Sequence, residues 1–108
     1  MNIEIASIWS PDLIGNFPKD LNDFDVLIQV SLQEKGKEGK ETFTFRACSP
    51  LTLARTESGR FVKSTLCLEK FDWQEIQNRV EKLIAHVSSC EQWDCVVEKL
   101  SGYLDYAD

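Results

Sequence analysis

The sequence contains one histidine, one methionine and three prolines, and no apolar run long enough to cross a bilayer. The shortage of histidine bears directly on function, because acid–base, nucleophilic and most zinc chemistry leans on that side chain. His86 stands by itself in an amphipathic stretch, where a surface or half-buried helical position explains it without catalysis. No CxxC pair occurs among Cys48, Cys67, Cys90 and Cys95, which all sit among apolar residues. That pattern reads as free, mostly buried thiols and not as a disulfide scaffold. The spacing of His86, Cys90 and Cys95 matches no recognised zinc pattern, so neither a metal nor any other cofactor is expected. Dense clusters of Lys or Arg are absent too: Lys35, Lys37 and Lys40 are diluted by Glu34, Glu38 and Glu41. Nucleic-acid binding is therefore disfavoured, since phosphate contacts draw their affinity from concentrated positive charge. Gly36 and Gly39 precede no Gly-Lys-Ser/Thr and no helix, which excludes a P-loop. Residues 1–5 lack a positive segment leading into an apolar run, so no signal peptide is expected and the cytoplasm is the default compartment.

What is present suits one soluble domain over residues 1–108. The chain is 43% hydrophobic and 28% charged, with a net charge of −6 from 18 acidic and 12 basic residues. Such a balance serves solubility and suits a basic protein partner.

A first strand is expected over residues 2–9, where Ile3 and Ile5 alternate with Asn2 and Glu4 and the run closes on Ile8 and Trp9. Residues 10–23, with Pro11, Gly15 and Pro18, form a loop or very short helical turn, a long connection that is either functional or simply packed through Leu13, Ile14, Phe17 and Leu21. The clearest signal follows. Phe24, Val26, Ile28, Val30 and Leu32 share one face and Asp25, Gln29 and Ser31 the other, with Leu27 interrupting the polar side. A charged turn carrying Gly36 and Gly39 leads into the alternation of Thr42 to Cys48, so residues 24–48 read as a β-hairpin. Ser49-Pro50 stops that strand, residues 51–60 read as a connection with an exposed turn at 56–60, and residues 61–69 read as another strand.

The period then changes. Asp72 followed by Glu75 resembles a helix cap, and Trp73, Ile76, Val80, Leu83, Ile84 and Val87 form one stripe of a helix over about 73–88. Ser89 with Gln92 suggests a second cap, before a shorter helix with Trp93, Val96, Val97 and Leu100 on its apolar face. Strands first and helices last predict an α+β fold: a four-stranded antiparallel sheet with two C-terminal helices packed on one face.

Clustered carboxylates invite a hydrolytic reading, but Asp20, Asp23 and Asp25 precede a strand, and Glu91, Asp94 and Glu98 lie opposite an apolar helix face. Neither set has a histidine companion. Phe43 and Phe45 resemble a base-stacking platform, yet without flanking basic residues they read as core. No enzyme activity is expected.

With those residues in view, the sequence resembles the bacterial immunity protein 8 family. The resemblance covers about residues 22–104. It rests on Phe24 entering an alternating strand, the Gly36/Gly39 turn, the run from Glu41 through Phe43, Phe45, Cys48 and Pro50 to Leu51, the segment Leu66 to Asp72, and Trp93 with residues 96–104. Family members often carry a tryptophan shortly after the proline, where this chain has Leu51-Thr52-Leu53. The resemblance implies an antidote of a polymorphic toxin or contact-dependent inhibition system. Such a protein binds the C-terminal domain of a cognate toxin tightly in the cytoplasm of the cell that makes it, neutralising toxin delivered by sibling cells. If that toxin is a basic nuclease, acidic charge would speed encounter and could occlude the active site. No nucleic acid and no membrane is expected as a partner. The alternative is a non-catalytic adaptor or structural module for another protein.

Three surfaces are candidates for partner contact. The loop carries Asp12, Asp20, Asp23 and Asp25, the polar side of the sheet adds Gln29, and the 54–60 turn offers Arg55 and Glu57. An open sheet edge also leaves a route to a homodimer as well as a monomer, with Lys63 placed to guard it.

Overall fold

The computed structural model describes residues 1–13 and 15–107, and its sheet grows from the predicted hairpin. Asp25–Glu34 forms β2 and Glu41–Cys48 forms β3, paired antiparallel in unbroken register from Asp25 opposite Cys48 to Leu32 opposite Glu41. Val26, Ile28, Val30 and Leu32 of β2 and Phe43, Phe45 and Ala47 of β3 turn to one side and are all buried. Full burial of each larger side chain contributes roughly 1.5–3 kcal/mol. In the connecting turn Gly36 and Gly39 hold φ of 81° and 95°, a region that residues with a Cβ enter at a cost.

Ile3–Trp9 forms β1, antiparallel to β2. Its register slips between Ile5 and Ser7, leaving Ala6 as the extra residue of a β-bulge. The bulge resets the alternation. Ile5 lies opposite Leu32 and Ile8 opposite Val30, so both pack on the core although three residues apart, and Trp9 falls opposite Gln29 on the other face.

Beyond β3 the purely antiparallel expectation gives way: the sheet has five strands and is mixed. Thr65–Cys67 forms β4, parallel to β3 along Arg46–Cys48, and Asp105–Ala107 forms β5, antiparallel to β3 along Thr42–Thr44. Two short strands thus share one edge of β3. A parallel neighbour needs a crossover, and the segment expected as a plain connection supplies it as helix α1, Pro50–Glu57. Ser49 is its N-cap, its Oγ accepting from the Thr52 N–H at 3.3 Å, and Pro50 occupies the first turn, where a missing N–H costs nothing. The Ser-Pro pair therefore both ends a strand and starts a helix. The strand expected over 61–69 shrinks to three residues because Phe61, Val62 and Lys63 project into solvent and Ser64 takes φ of 52°.

Trp73–His86 forms α2 and Trp93–Leu100 forms α3. Asp72 caps α2 as expected, its Oδ1 accepting from the N–H groups of Gln74 and Glu75 at 2.9 and 3.3 Å. The cap of α3 is Gln92, without a side-chain bond, and not Ser89. Ile76, Val80, Val87, Val96 and Leu100 join the strand residues in one core, with the buried Leu104 fixing the chain after α3. The α+β class and the two C-terminal helices following the strands stand as read. In the 10–23 connection Leu13 and Leu21 pack against the core, whereas Phe17 does not bury; Ile14 lies outside the described residues.

The cysteines depart from the reading as four free thiols. Cys90 and Cys95 are joined by a disulfide, their Cα atoms 5.7 Å apart, because the turn between α2 and α3 folds the chain back within bonding reach. Cys48 is buried and Cys67 exposed. Burial pushes the Cys48 thiol up from its ordinary range, which leaves little thiolate to react. Alkylation of the native, unreduced protein should therefore modify Cys67 quickly, Cys48 only on unfolding, and Cys90 and Cys95 only after reduction. Mass spectrometry of timed aliquots checks the order, and Cys48 labelling as fast as Cys67 would contradict it.

Candidate partner-binding face

The sheet face away from α2 and α3 carries Asp25, Leu27, Gln29 and Ser31 of β2 opposite Cys48, Arg46, Thr44 and Thr42 of β3. Alternation places these side chains outward, and α1 comes down on one end of them. Arg46 makes the junction. Its Nε and Nη2 donate to the two Asp25 carboxylate oxygens, each at 2.6 Å, while Nη1 reaches Glu57 at 2.8 Å and Nη2 the Thr56 hydroxyl at 3.0 Å. A planar guanidinium fits such a fork better than an ammonium could. The Asp25 bonds hold Arg46 still more firmly in its charged form.

One turn earlier in α1, the Thr52 hydroxyl and Arg55 Nη2 both donate to Asp23 Oδ1. These bonds hold the Asp23 carboxyl below its ordinary 3.8. A depressed folded value adds stability above the unfolded value and loses it as pH falls through the folded one. Asp23→Asn should accordingly melt lower than the parent at about pH 6, with the gap closing towards about pH 2. A gap independent of pH over that range would show that Asp23 contributes through geometry and not charge.

Asp12 answers a different need. Beyond Trp9 the β1 ladder ends, and Asp12 Oδ2 accepts the Leu27 N–H at 2.7 Å in place of a strand carbonyl. Gln29 is half-buried between Trp9 and Thr44. Asp20 accepts from the Asn22 N–H at 2.9 Å, an Asx-turn in the loop and outside the network. Of the seven residues singled out from the sequence, Asp23, Asp25, Arg55 and Glu57 form one cluster around Arg46 and α1. Asp12 and Gln29 continue it along β2, and Asp20 stands aside.

Exposed apolar side chains lie on and beside this face, and of these Trp9 is the one that the sequence did not place at the surface. Trp9 is 49% and Phe17 58% exposed, with Leu27 and Leu51 also uncovered. Trp9 and Phe17 line a hollow of about 550 Å³ at the β1 edge of the sheet, beside the outer face, walled on its other side by Ile8 and by Trp73 and Gln77 of α2. The loop side of the hollow is fixed by the Trp73 Nε1–H, which donates to the Asn16 carbonyl at 2.5 Å. Phe17 meets Phe71 edge to face, centroids 6.3 Å apart. Large exposed aromatics beside paired charges are the composition of binding centres. The available signal was a tryptophan ending a strand before a Pro/Gly loop, and the bulge at Ala6 is what sets it on the outer face.

His86 is exposed on the last turn of α2, and Cys90 and Cys95 bond to each other, so the imagined zinc set does not assemble. Among the described residues no three His, Cys, Asp or Glu side chains gather to hold a metal ion, and no helix is long and apolar enough to cross a membrane. What the face offers is shape, apolar area and fixed charge.

The model of the family described as Immunity protein 8 matches residues 1–107. No curated protein and no solved structure matches the chain.

Proposed function

The chain belongs to the immunity protein 8 family, and from that premise we propose that it binds and neutralises a cognate bacterial toxin domain in a tight, stoichiometric complex, without chemistry of its own. The family match over nearly the whole length carries this reading. The contact surface is the outer sheet face and its adjoining hollow: Trp9 and Phe17 supply apolar anchors, while Asp12, Asp25, Gln29 and Glu57 supply a polar rim. Asp23 and Arg55 hold α1 in place at that rim, and Asp20 adds charge from the loop. Anchors of this kind contribute most of the affinity, whereas rim charges act mainly on encounter rate and partner choice.

The net charge of −6 suits a basic toxin domain, and a nuclease active site, lined to take phosphate, is the target this acidity fits best. The complex forms in the cytoplasm of the producing cell. The face contains neither Cys90 nor Cys95, so reduction of their disulfide in a reducing compartment leaves its shape unchanged.

The deciding experiment is co-expression with the toxin domain encoded beside the gene, followed by gel filtration and hydrogen exchange of the complex. The expected outcome is a single stoichiometric species, a surviving host, and protection gained over residues 8–17 and 25–29. Separate elution of the two proteins, with the host killed, would refute neutralisation by binding; protection confined to α2 and α3 would refute the chosen face.

A further inference from the structure

The split edge of β3 has a consequence on the inner side of the sheet. β4 ends its pairing at Arg46 and β5 at Thr44, so the edge opens at Phe45. A groove of about 490 Å³ lies there, a size typical of small-ligand sites. Its floor is apolar and buried, made by Phe45, Val80 and Leu104; Leu66 and Leu83 are half-buried in its walls, and Tyr103 is exposed at the mouth. On one side Ser64, in its left-handed conformation, donates from Oγ to Asp105 Oδ1 at 2.8 Å and ties the two short strands together.

The charge of this groove runs against that of the molecule. Among its thirteen lining residues three are basic and none is acidic, in a chain with 18 acidic and 12 basic residues. Arg79 is held by Glu75 at 2.6 Å, but among the described residues neither Lys63 nor Lys82 forms an ion pair. An apolar floor with uncompensated ammonium groups at its rim matches one ligand chemistry. We propose that this groove is a second binding site, for a small amphipathic anion with an aromatic or aliphatic body and a single carboxylate. The body covers Phe45, Leu66 and Leu83, and the carboxylate accepts from Lys63 and Lys82. Because the groove opens on the helix side of the sheet, its occupation is compatible with a partner on the outer face.

The test is titration of the full-length ¹⁵N-labelled protein with 4-phenylbutyrate and, in parallel, with the uncharged 4-phenylbutan-1-ol. Saturable shifts are expected over residues 62–66, 79–83 and 102–104, with the acid binding about tenfold more tightly than the alcohol, the gain from two solvent-exposed lysine contacts. The double variant Lys63→Glu/Lys82→Glu should lose about that tenfold for the acid and leave the alcohol within about twofold. Both lysines are exposed, so the variant's melting curve should match the parent. Equal affinity of acid and alcohol, an unaffected double variant, shifts centred on Trp9 and Phe17, or no saturable binding would each overturn the proposal.

Discussion

Trp9→Ala should weaken the toxin complex by roughly thirtyfold or more, about 2 kcal/mol, while shifting the melting temperature of the free protein little. Half of the indole is already in water, so its removal takes away little of the folded core. In the complex the same indole would be desolvated at the boundary of the hollow and the sheet, where aromatic truncations cost most. Dissociation should accelerate more than association slows, because no charge changes. Asp20→Asn, which leaves its Asx-turn geometry intact, should instead change association alone and by less than about threefold. Calorimetry and surface-capture kinetics against the cognate toxin domain measure both. A Trp9→Ala complex within about threefold of the parent affinity would remove the hollow from the interface.

Phe71→Ala should destabilise the fold by about 3–5 kcal/mol, the largest loss expected from any single truncation outside the central hairpin. Phe71 is buried at the meeting of three other aromatic rings: Phe24 at 5.4 Å, Trp73 at 5.3 Å and Phe17 at 6.3 Å, all edge to face. Its N–H also donates to the Leu21 carbonyl at 2.8 Å, so the residue joins the long loop, the start of β2 and the start of α2. Truncation would leave a void that none of the rings can fill by a rotamer change, and would loosen the loop that walls the Trp9 hollow. Chemical denaturation should show the loss directly, and the melting temperature should fall by on the order of 15–25 °C. Phe71→Leu, which keeps most of the volume, should cost less than half as much. A loss below about 1 kcal/mol for the alanine variant would mean that the ring cluster relaxes freely and that the loop is held elsewhere.

How far the sequence could be read follows from how local each determinant is. The β2–β3 hairpin and α2 were legible because their periods of two and 3.6 run unbroken over many residues, and Asp72 announced the second of them. Three-residue strands carry no such period. β4 and β5 exist because β3 presents a free edge, a fact of tertiary structure that Thr65–Cys67 and Asp105–Ala107 do not encode alone. α1 was hidden by its length of eight residues and by Leu51 facing solvent, although Ser49-Pro50 marked its start. The candidate face was half legible. Its carboxylates could be picked out as a group, but Arg46 was the residue that tied them to α1, and its partners lie up to 21 residues away. The facing of Trp9 is set by a single unpaired residue, which a period of two does not reveal.

That unpaired residue also determines how the molecule can vary in length. On both sides of Ala6 the β1–β2 ladder is already in the facing that a regular strand would have, with Ile5 and Ile8 inward and Trp9 outward. Loss of the Ala6 codon would therefore close the bulge and leave every other contact where it is, whereas straightening the strand with Ala6 retained would turn Ser7 and Trp9 into the core and Ile8 out of it. Deletion of Ala6 should thus be tolerated, whereas forcing Ala6 into the ladder would exchange a tryptophan for an isoleucine on the proposed contact surface.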